Sequence, residues 1–170
     1  KSYFPYTDAR AEQATAINFA LESFLEKDKR FVIIEAGTGV GKSAIGFTAA
    51  KYITDNMPAE PYVAGAYYLT TQKLLQAQYM RDFKSKGMMS LKSSSNYRCN
   101  YFKTKTCQEA RRELKASTDQ RFKSSCASAC HYVVEKNRFI QGYHGVTNFP
   151  YFLNEVNLSG QLPARSVMVI

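Results

Sequence analysis

The sequence predicts an α/β protein, a parallel sheet with flanking helices, broken by one irregular cysteine-bearing insertion. Three observations carry this. Short, continuous apolar runs at Phe31–Glu35, Tyr62–Leu69 and Ser166–Ile170 alternate with stretches of helical periodicity. A glycine-rich turn, Ala36-Gly-Thr-Gly-Val-Gly-Lys-Ser43, separates the first run from a helix. All four cysteines fall between Lys84 and His131, where neither a helical nor a strand period persists.

Ala14, Ile17, Leu21, Phe24 and Leu25 recur at helical spacing, and Thr7 or Asp8 can cap that helix. Phe31-Val-Ile-Ile-Glu35 is β-branched and continuous, as in a strand buried on both faces. A helix follows from about Lys42 to Asp55 with Ile45, Ala49, Tyr52 and Ile53 inward. Pro58 and Pro61 bracket a loop before a second strand, Tyr62–Leu69. Gln72–Phe83 reads as a helix with Leu75, Tyr79 and Phe83 on its inner side. Lys84–Ser128 is irregular except for helical spacing over Cys107–Ala116. Order returns with a helix at Tyr132–Ile140, a short strand at Gly145–Thr147, a helix at Pro150–Val156 capped by Asn148 or Thr147, and the closing strand. The expected division is 1–84 and 132–170 for the sheet domain, with 85–131 as the insertion.

A chain of 170 residues with 45% apolar composition can build one substantial core. No run of about 18 apolar residues exists, which excludes a hydrophobic membrane helix. The first residues lack the apolar centre of a signal peptide, so an intracellular, cytoplasmic location is expected. The net charge is +9, and residues 81–138 hold 14 Lys and Arg against 5 Asp and Glu, while the remainder balances. A surplus confined to one segment favours a polyanion-binding face over a generally solvated basic surface.

The glycine-rich turn has the composition of a phosphate loop. Gly37, Gly39 and Gly41 permit positive φ and bring no Cβ, so backbone amides can point into one concavity around a phosphate. The dipole of the helix that follows adds to the same anion site. Lys42 is placed to neutralise β- and γ-phosphate oxygens, and the Ser43 hydroxyl to hold Mg²⁺. Thr38 and Val40 complete the loop. Ala36 stands at its first position, so the match is to the relaxed form of the motif. The sequence thus points to ATP with Mg²⁺.

Cys99, Cys107, Cys126 and Cys130 are separated by 7, 18 and 3 residues. Four thiolates suit either tetrahedral Zn²⁺ or a [4Fe–4S] cluster, and the spacing alone does not choose between them. Four unrelated buried thiols are the plain alternative. His131, beside Cys130, and His144 read as ordinary histidines. Arg111 and Arg112 read as a solvated helix face.

Taken in order, these landmarks resemble superfamily 2 helicases of the XPD/DinG type, along essentially the whole chain. Glu35–Ser43 looks like motif I. Tyr6, Arg10 and Gln13 occupy the place of the N-terminal adenine-recognition segment. Leu69-Thr-Thr-Gln-Lys-Leu-Leu-Gln-Ala-Gln78 is similar to motif Ia, which lies along the nucleic-acid backbone. Leu91–Cys99 looks like the segment supplying the first cluster cysteine, and Val146–Leu153 like the strand and turn before motif II. The resemblance implies a RecA-like sheet and a [4Fe–4S] cluster on Cys99, Cys107, Cys126 and Cys130. It also implies ATP-driven 5′-to-3′ translocation on single-stranded or forked DNA, with a second RecA-like lobe as partner. It places the Asp-Glu-Ala-His box directly after Ile170, so residues 1–170 alone are expected to hydrolyse ATP poorly.

Tyr97, Tyr101 and Phe102 interleave with Arg98, Lys103 and Lys105, a mix suited to base stacking with phosphate contact, or equally to a small satellite core. Two other readings stay open. One is a nucleotide kinase or unrelated ATPase with a zinc-bound lid. The other is a non-catalytic, zinc-stabilised DNA-binding module.

Overall fold

The computed structural model describes residues 3–170. Its elements begin with helices α1 (Ala11–Leu25) and α2 (Lys42–Asn56), strand β1 (Val63–Thr70), helix α3 (Lys73–Phe83) and strand β2 (Met88–Leu91). They continue with helices α4 (Cys107–Leu114), α5 (Gln120–Ser128) and α6 (His131–Gln141), strand β3 (His144–Asn148), helix α7 (Phe149–Asn154) and strand β4 (Arg165–Val169). Strand order in the sheet is β2-β3-β1-β4, and the β1·β4 and β2·β3 pairs are parallel. The α/β prediction with a parallel sheet therefore holds. The chain forms two compact units, one reaching Tyr68 and including Ala164–Ile170, the other Leu69–Pro163.

In the first unit, α1 starts at an N-cap of Arg10, whose amide donates to Gln13 Oε1 at 3.0 Å. The cap thus lies beyond Thr7 and Asp8, where it was expected. Helix α2 buries Ala44, Ile45, Phe47, Ala49, Ala50 and Ile53, and Phe47 stacks on Tyr68 of β1 at 6.1 Å. A Cβ at Gly46 would stand 2.8 Å from Val169 Cγ1, so glycine lets β4 rest directly on α2. Strands β1 and β4 align Ala66 with Val167 and Tyr68 with Val169.

The expected strand Phe31–Glu35 is not part of the sheet. Its side chains alternate: Phe31 and Ile33 are 83% and 91% exposed, while Val32 and Ile34 line a cavity of about 210 Å³ with Ile45, Ala49, Val167 and Val169. A continuous apolar run states that both faces are hydrophobic. Whether both become covered depends on neighbours supplied by the fold, and here one face is covered. Strand β4 departs in the same way, with Met168 47% exposed where a fully buried strand was expected.

In the second unit, α3 buries Gln76 and Phe83, whereas Leu75, expected inward, is exposed. Gln76 Nε2 donates to Ser90 Oγ at 2.9 Å, Leu91 O at 2.8 Å and Val146 O at 3.3 Å, linking α3 to both β2 and β3. The donors of this buried amide are met, whereas its Oε1 has no partner among the described residues. Strand β2, at four residues, is too short to show a period, and α5 lay in the stretch read as irregular. Asp119 caps α5, accepting from the amides of Arg121 at 2.9 Å and Phe122 at 3.2 Å. Asn148 caps α7 as expected, accepting from Tyr151 N at 3.3 Å.

Candidate functional site

The turn over residues 36–43 is compact. Gly39 and Gly41 take φ of +83° and +86°, and Gly41 is the N-cap of α2; Gly37, also expected to use this freedom, does not. Only glycine adopts the left-handed region without penalty. Gly41 is restricted by packing as well, since a Cβ there would meet Gln13 Nε2 at 2.5 Å. Among the described residues, the amides from Gly37 to Ser43 donate no hydrogen bond. Unmet backbone donors at the start of a helix form an anion-binding concavity.

Four carbonyls of the loop accept hydrogen bonds from side chains. Lys42 Nζ donates to Ala36 O at 2.8 Å and Gly37 O at 2.9 Å. Arg10 Nη2 donates to Gly39 O and Val40 O, both at 2.9 Å. Gln13 Nε2 donates to Val40 O at 2.8 Å. Arg10 and Gln13, expected in the adenine-recognition segment, bond the loop backbone. Tyr6 is half exposed, in edge contact with Phe4 at 5.8 Å. Thr38 is exposed at the tip.

The four cysteines lie in the second unit, on separate pieces of chain. Cys99 and Cys107 flank a tight knuckle, held by Cys99 N to Lys105 O at 2.9 Å and Cys107 N to Tyr97 O at 2.7 Å. Cys107 begins α4 after a Thr106–Glu109 capping box. Cys126 is in α5, and Cys130 is the N-cap of α6. Asn100 Nδ2 donates to Ala129 O, fastening the knuckle to the segment that carries Cys130. Cys107 Sγ and Cys130 Sγ are 3.4 Å apart, and Phe102 N donates to Cys99 Sγ at 3.3 Å.

Burial pushes the Cys107 thiol up to about 12, helped by the hydrogen bond and charge of Cys130 and opposed by Arg111. Cys126 is also raised, by burial first and then by Cys99 and Cys130. Cys126 thus lies within electrostatic reach of the other three sulfurs. Among the described residues, however, no three His, Cys, Asp or Glu side chains meet in a geometry that would hold a metal. His131 is exposed, and His144 is buried in β3.

Around the cysteines the aromatic residues build a satellite core. Phe122 is buried with Cys99 and Ala110, and Phe102, Leu114 and Cys126 pack on it. Phe102 and Phe122 meet edge-on at 4.8 Å. Tyr97 packs edge-on against Tyr132 at 5.6 Å, and Tyr101 Oη donates to Asp119 Oδ2 at 2.6 Å. The structure thus decides for packing over base stacking at Tyr97 and Phe102. The cations are divided. Lys105 pairs with Glu113 at 2.5 Å, while Arg98 and Lys103 are exposed.

A polar network that sequence reasoning missed follows Cys130 along α6. Lys136 Nζ pairs with Glu155 Oε2 at 2.5 Å, with side-chain exposures of 10% and 14%. Tyr132 Oη meets Tyr151 Oη at 2.7 Å, and Ser159 Oγ donates to Glu155 Oε2 at 2.6 Å. Burial raises the Glu155 carboxyl, but Lys136 and Ser159 outweigh it and hold it below the usual range. Glu155 opens a π-helical turn, Glu155–Ser159, that no sequence period announces. No helix among the described residues is long and apolar enough to cross a membrane.

Residues 7–146, which include the glycine-rich loop and all four cysteines, match the profile of the type III restriction enzyme res subunit family. No curated protein matches the chain. A glycine-rich loop that opens a helix, with its amides free and its lysine in place, is what an ATP-dependent helicase-type domain requires. The chain belongs to the type III restriction enzyme res subunit family, a superfamily 2 helicase-type domain.

Proposed function

We propose that this chain is the ATP-gripping part of an iron–sulfur DNA helicase of the XPD/DinG type, moving 5′ to 3′ on single-stranded or forked DNA with a second RecA-like lobe as partner. The observation that carries the reading is the run of undonated amides from Gly37 to Ser43 at the start of α2, with Lys42 beside it. Gly37, Thr38, Gly39, Val40 and Gly41 surround the phosphates through their backbone. Lys42 exchanges two carbonyl acceptors for phosphate oxygens, and Ser43 holds Mg²⁺. Such an exchange is favourable because a charge-assisted bond to phosphate is stronger than one to a neutral carbonyl. Tyr6 offers a ring for the adenine. Arg10 and Gln13, joined to the loop carbonyls, tie base recognition to the shape of the loop.

Cys99, Cys107, Cys126 and Cys130 are proposed to hold a [4Fe–4S] cluster, with Zn²⁺ as the alternative. The support is the donor chemistry: four thiols gathered in one unit, one of them already accepting an amide N–H, with Arg111 near Cys107 and Cys126 to offset negative charge, so that closing the four into a metal-holding geometry is left to the metal itself. Bound there, the cluster supplies a rigid cross-link between the knuckle, α5 and α6. Exposed Arg98 and Lys103 on the knuckle face supply phosphate contacts to DNA.

The test is calorimetric titration with MgATP. Wild type binds and Lys42→Ala loses affinity by about 10- to 100-fold, the range of a lost charge-assisted bond. Equal affinity in both would overturn the loop assignment. Absorption near 400 nm in an anaerobic preparation marks iron, and a colourless preparation holding zinc rules the cluster out.

A further inference from the structure

We infer that Cys107 and Cys130 are a built-in oxidation site, a thiol pair that closes to a disulfide when a peroxide reaches the metal-free protein. Their sulfurs are in contact at 3.4 Å, although 22 residues lie between them in the chain. A disulfide needs about 2.05 Å, so a further approach of about 1.4 Å forms the bond. Both thiols stand at helix starts, Cys107 as the first residue of α4 and Cys130 as the N-cap of α6, and Asn100 holds the two segments together through Ala129 O. The pair is therefore positioned by backbone rather than by mobile side chains.

Access is one-sided. Cys130 and Cys126 line a cavity of about 200 Å³ with Arg111, Lys123 and Val133, whereas Cys107 is not in its wall and is 2% exposed. Hydrogen peroxide is small enough to enter it. Cys130 Sγ attacks one peroxide oxygen; the O–O bond breaks, the thiol proton leaves with the departing hydroxide as water, and Cys130 becomes a sulfenic acid. Cys107 Sγ then attacks that sulfur. The S–S bond forms, the S–O bond breaks, and a second water carries away the Cys107 proton. Two thiols lose two electrons, and one peroxide becomes two waters.

The inference is independent of which metal the cysteines hold. It bears on that site nonetheless, because the bond removes two of four thiolates. A centre that needs all four cannot be rebuilt until the disulfide is reduced.

Peptide mapping tests it. The full chain, reduced and stripped of metal by chelator, receives one equivalent of hydrogen peroxide in native buffer, then alkylation and mass spectrometry. The expected majority product links Cys107 to Cys130, with Cys99 and Cys126 alkylated, and a reducing agent restores four reactive thiols. In urea, loop closure favours the pair closest in sequence, so Cys126–Cys130 dominates there. Cys107→Ser loses the linked product and Cys99→Ser retains it. Domination by Cys126–Cys130 in native buffer, or four alkylated thiols after peroxide, overturns the inference. Iron-loaded protein given the same peroxide keeps all four cysteines unlinked if the cluster assignment is right. Failure in that arm alone counts against the cluster and leaves the disulfide standing.

Discussion

The two candidate sites are built from different materials. The phosphate loop is made of backbone: eight consecutive residues, two left-handed glycines, and amides whose direction follows from local φ and ψ. The cysteine site is made of side chains brought from four separate pieces of chain between Cys99 and Cys130, and held by the small core of Phe122, Ala110 and Phe102. A local site survives as long as its turn survives. A site assembled from distant segments survives only as long as its packing does.

That contrast fails or sharpens on three substitutions. The largest effect is expected from Phe122→Ala, which removes the centre of the satellite core. Loss of a fully buried phenylalanine costs about 3–5 kcal/mol. Denaturant unfolding should report that loss together with loss of metal uptake, while MgATP affinity stays near wild type. If metal content is kept, the cysteines do not depend on this core.

Next is Glu155→Gln, which unpairs Lys136 at a nearly buried position and should destabilise by about 1–3 kcal/mol at neutral pH. Because the folded state holds the Glu155 carboxyl below its unfolded value, its contribution is full above the ordinary carboxylate range and is lost as pH falls through the lowered value. Urea midpoints for wild type and variant should therefore converge towards about pH 3, below the reference carboxylate values. A constant gap at every pH would assign the effect to packing rather than charge.

The smallest effect on stability belongs to Gly41→Ala. A left-handed L-residue costs about 1–2 kcal/mol, and the new Cβ displaces Gln13 from Val40 O. An equivalent cost to the binding conformation weakens MgATP by about 5- to 30-fold, read by calorimetry, with metal content untouched. Unaltered nucleotide affinity would show that the loop is less dependent on its glycines than the geometry requires.

Legibility in the sequence follows the same division. The helix after the phosphate loop was expected at Lys42–Asp55 and found at Lys42–Asn56, because caps, periodicity and glycine position are all local. The four cysteines were recognisable as a group, but their pairing was not, since the contact of Cys107 with Cys130 arises from how α4 and α6 pack. Leu75 looked like the inner face of α3, yet Gln76 is buried there, because acceptors on Ser90, Leu91 and Val146 wait opposite it. No local pattern encodes acceptors that lie 14 to 70 residues away. The Lys136–Glu155 network was missed for the same reason.

By itself, the sequence determined the helices on either side of the glycine-rich turn, the position of that turn and the confinement of cysteines and charge to one segment. Each of these is set by interactions within a turn or two of the chain. Tertiary structure alone decided that Phe31 and Ile33 lie exposed, that Tyr97 and Phe102 pack inward, and which sulfurs touch. Burial and contact are properties of pairs of distant segments, so they exist only once the chain has folded.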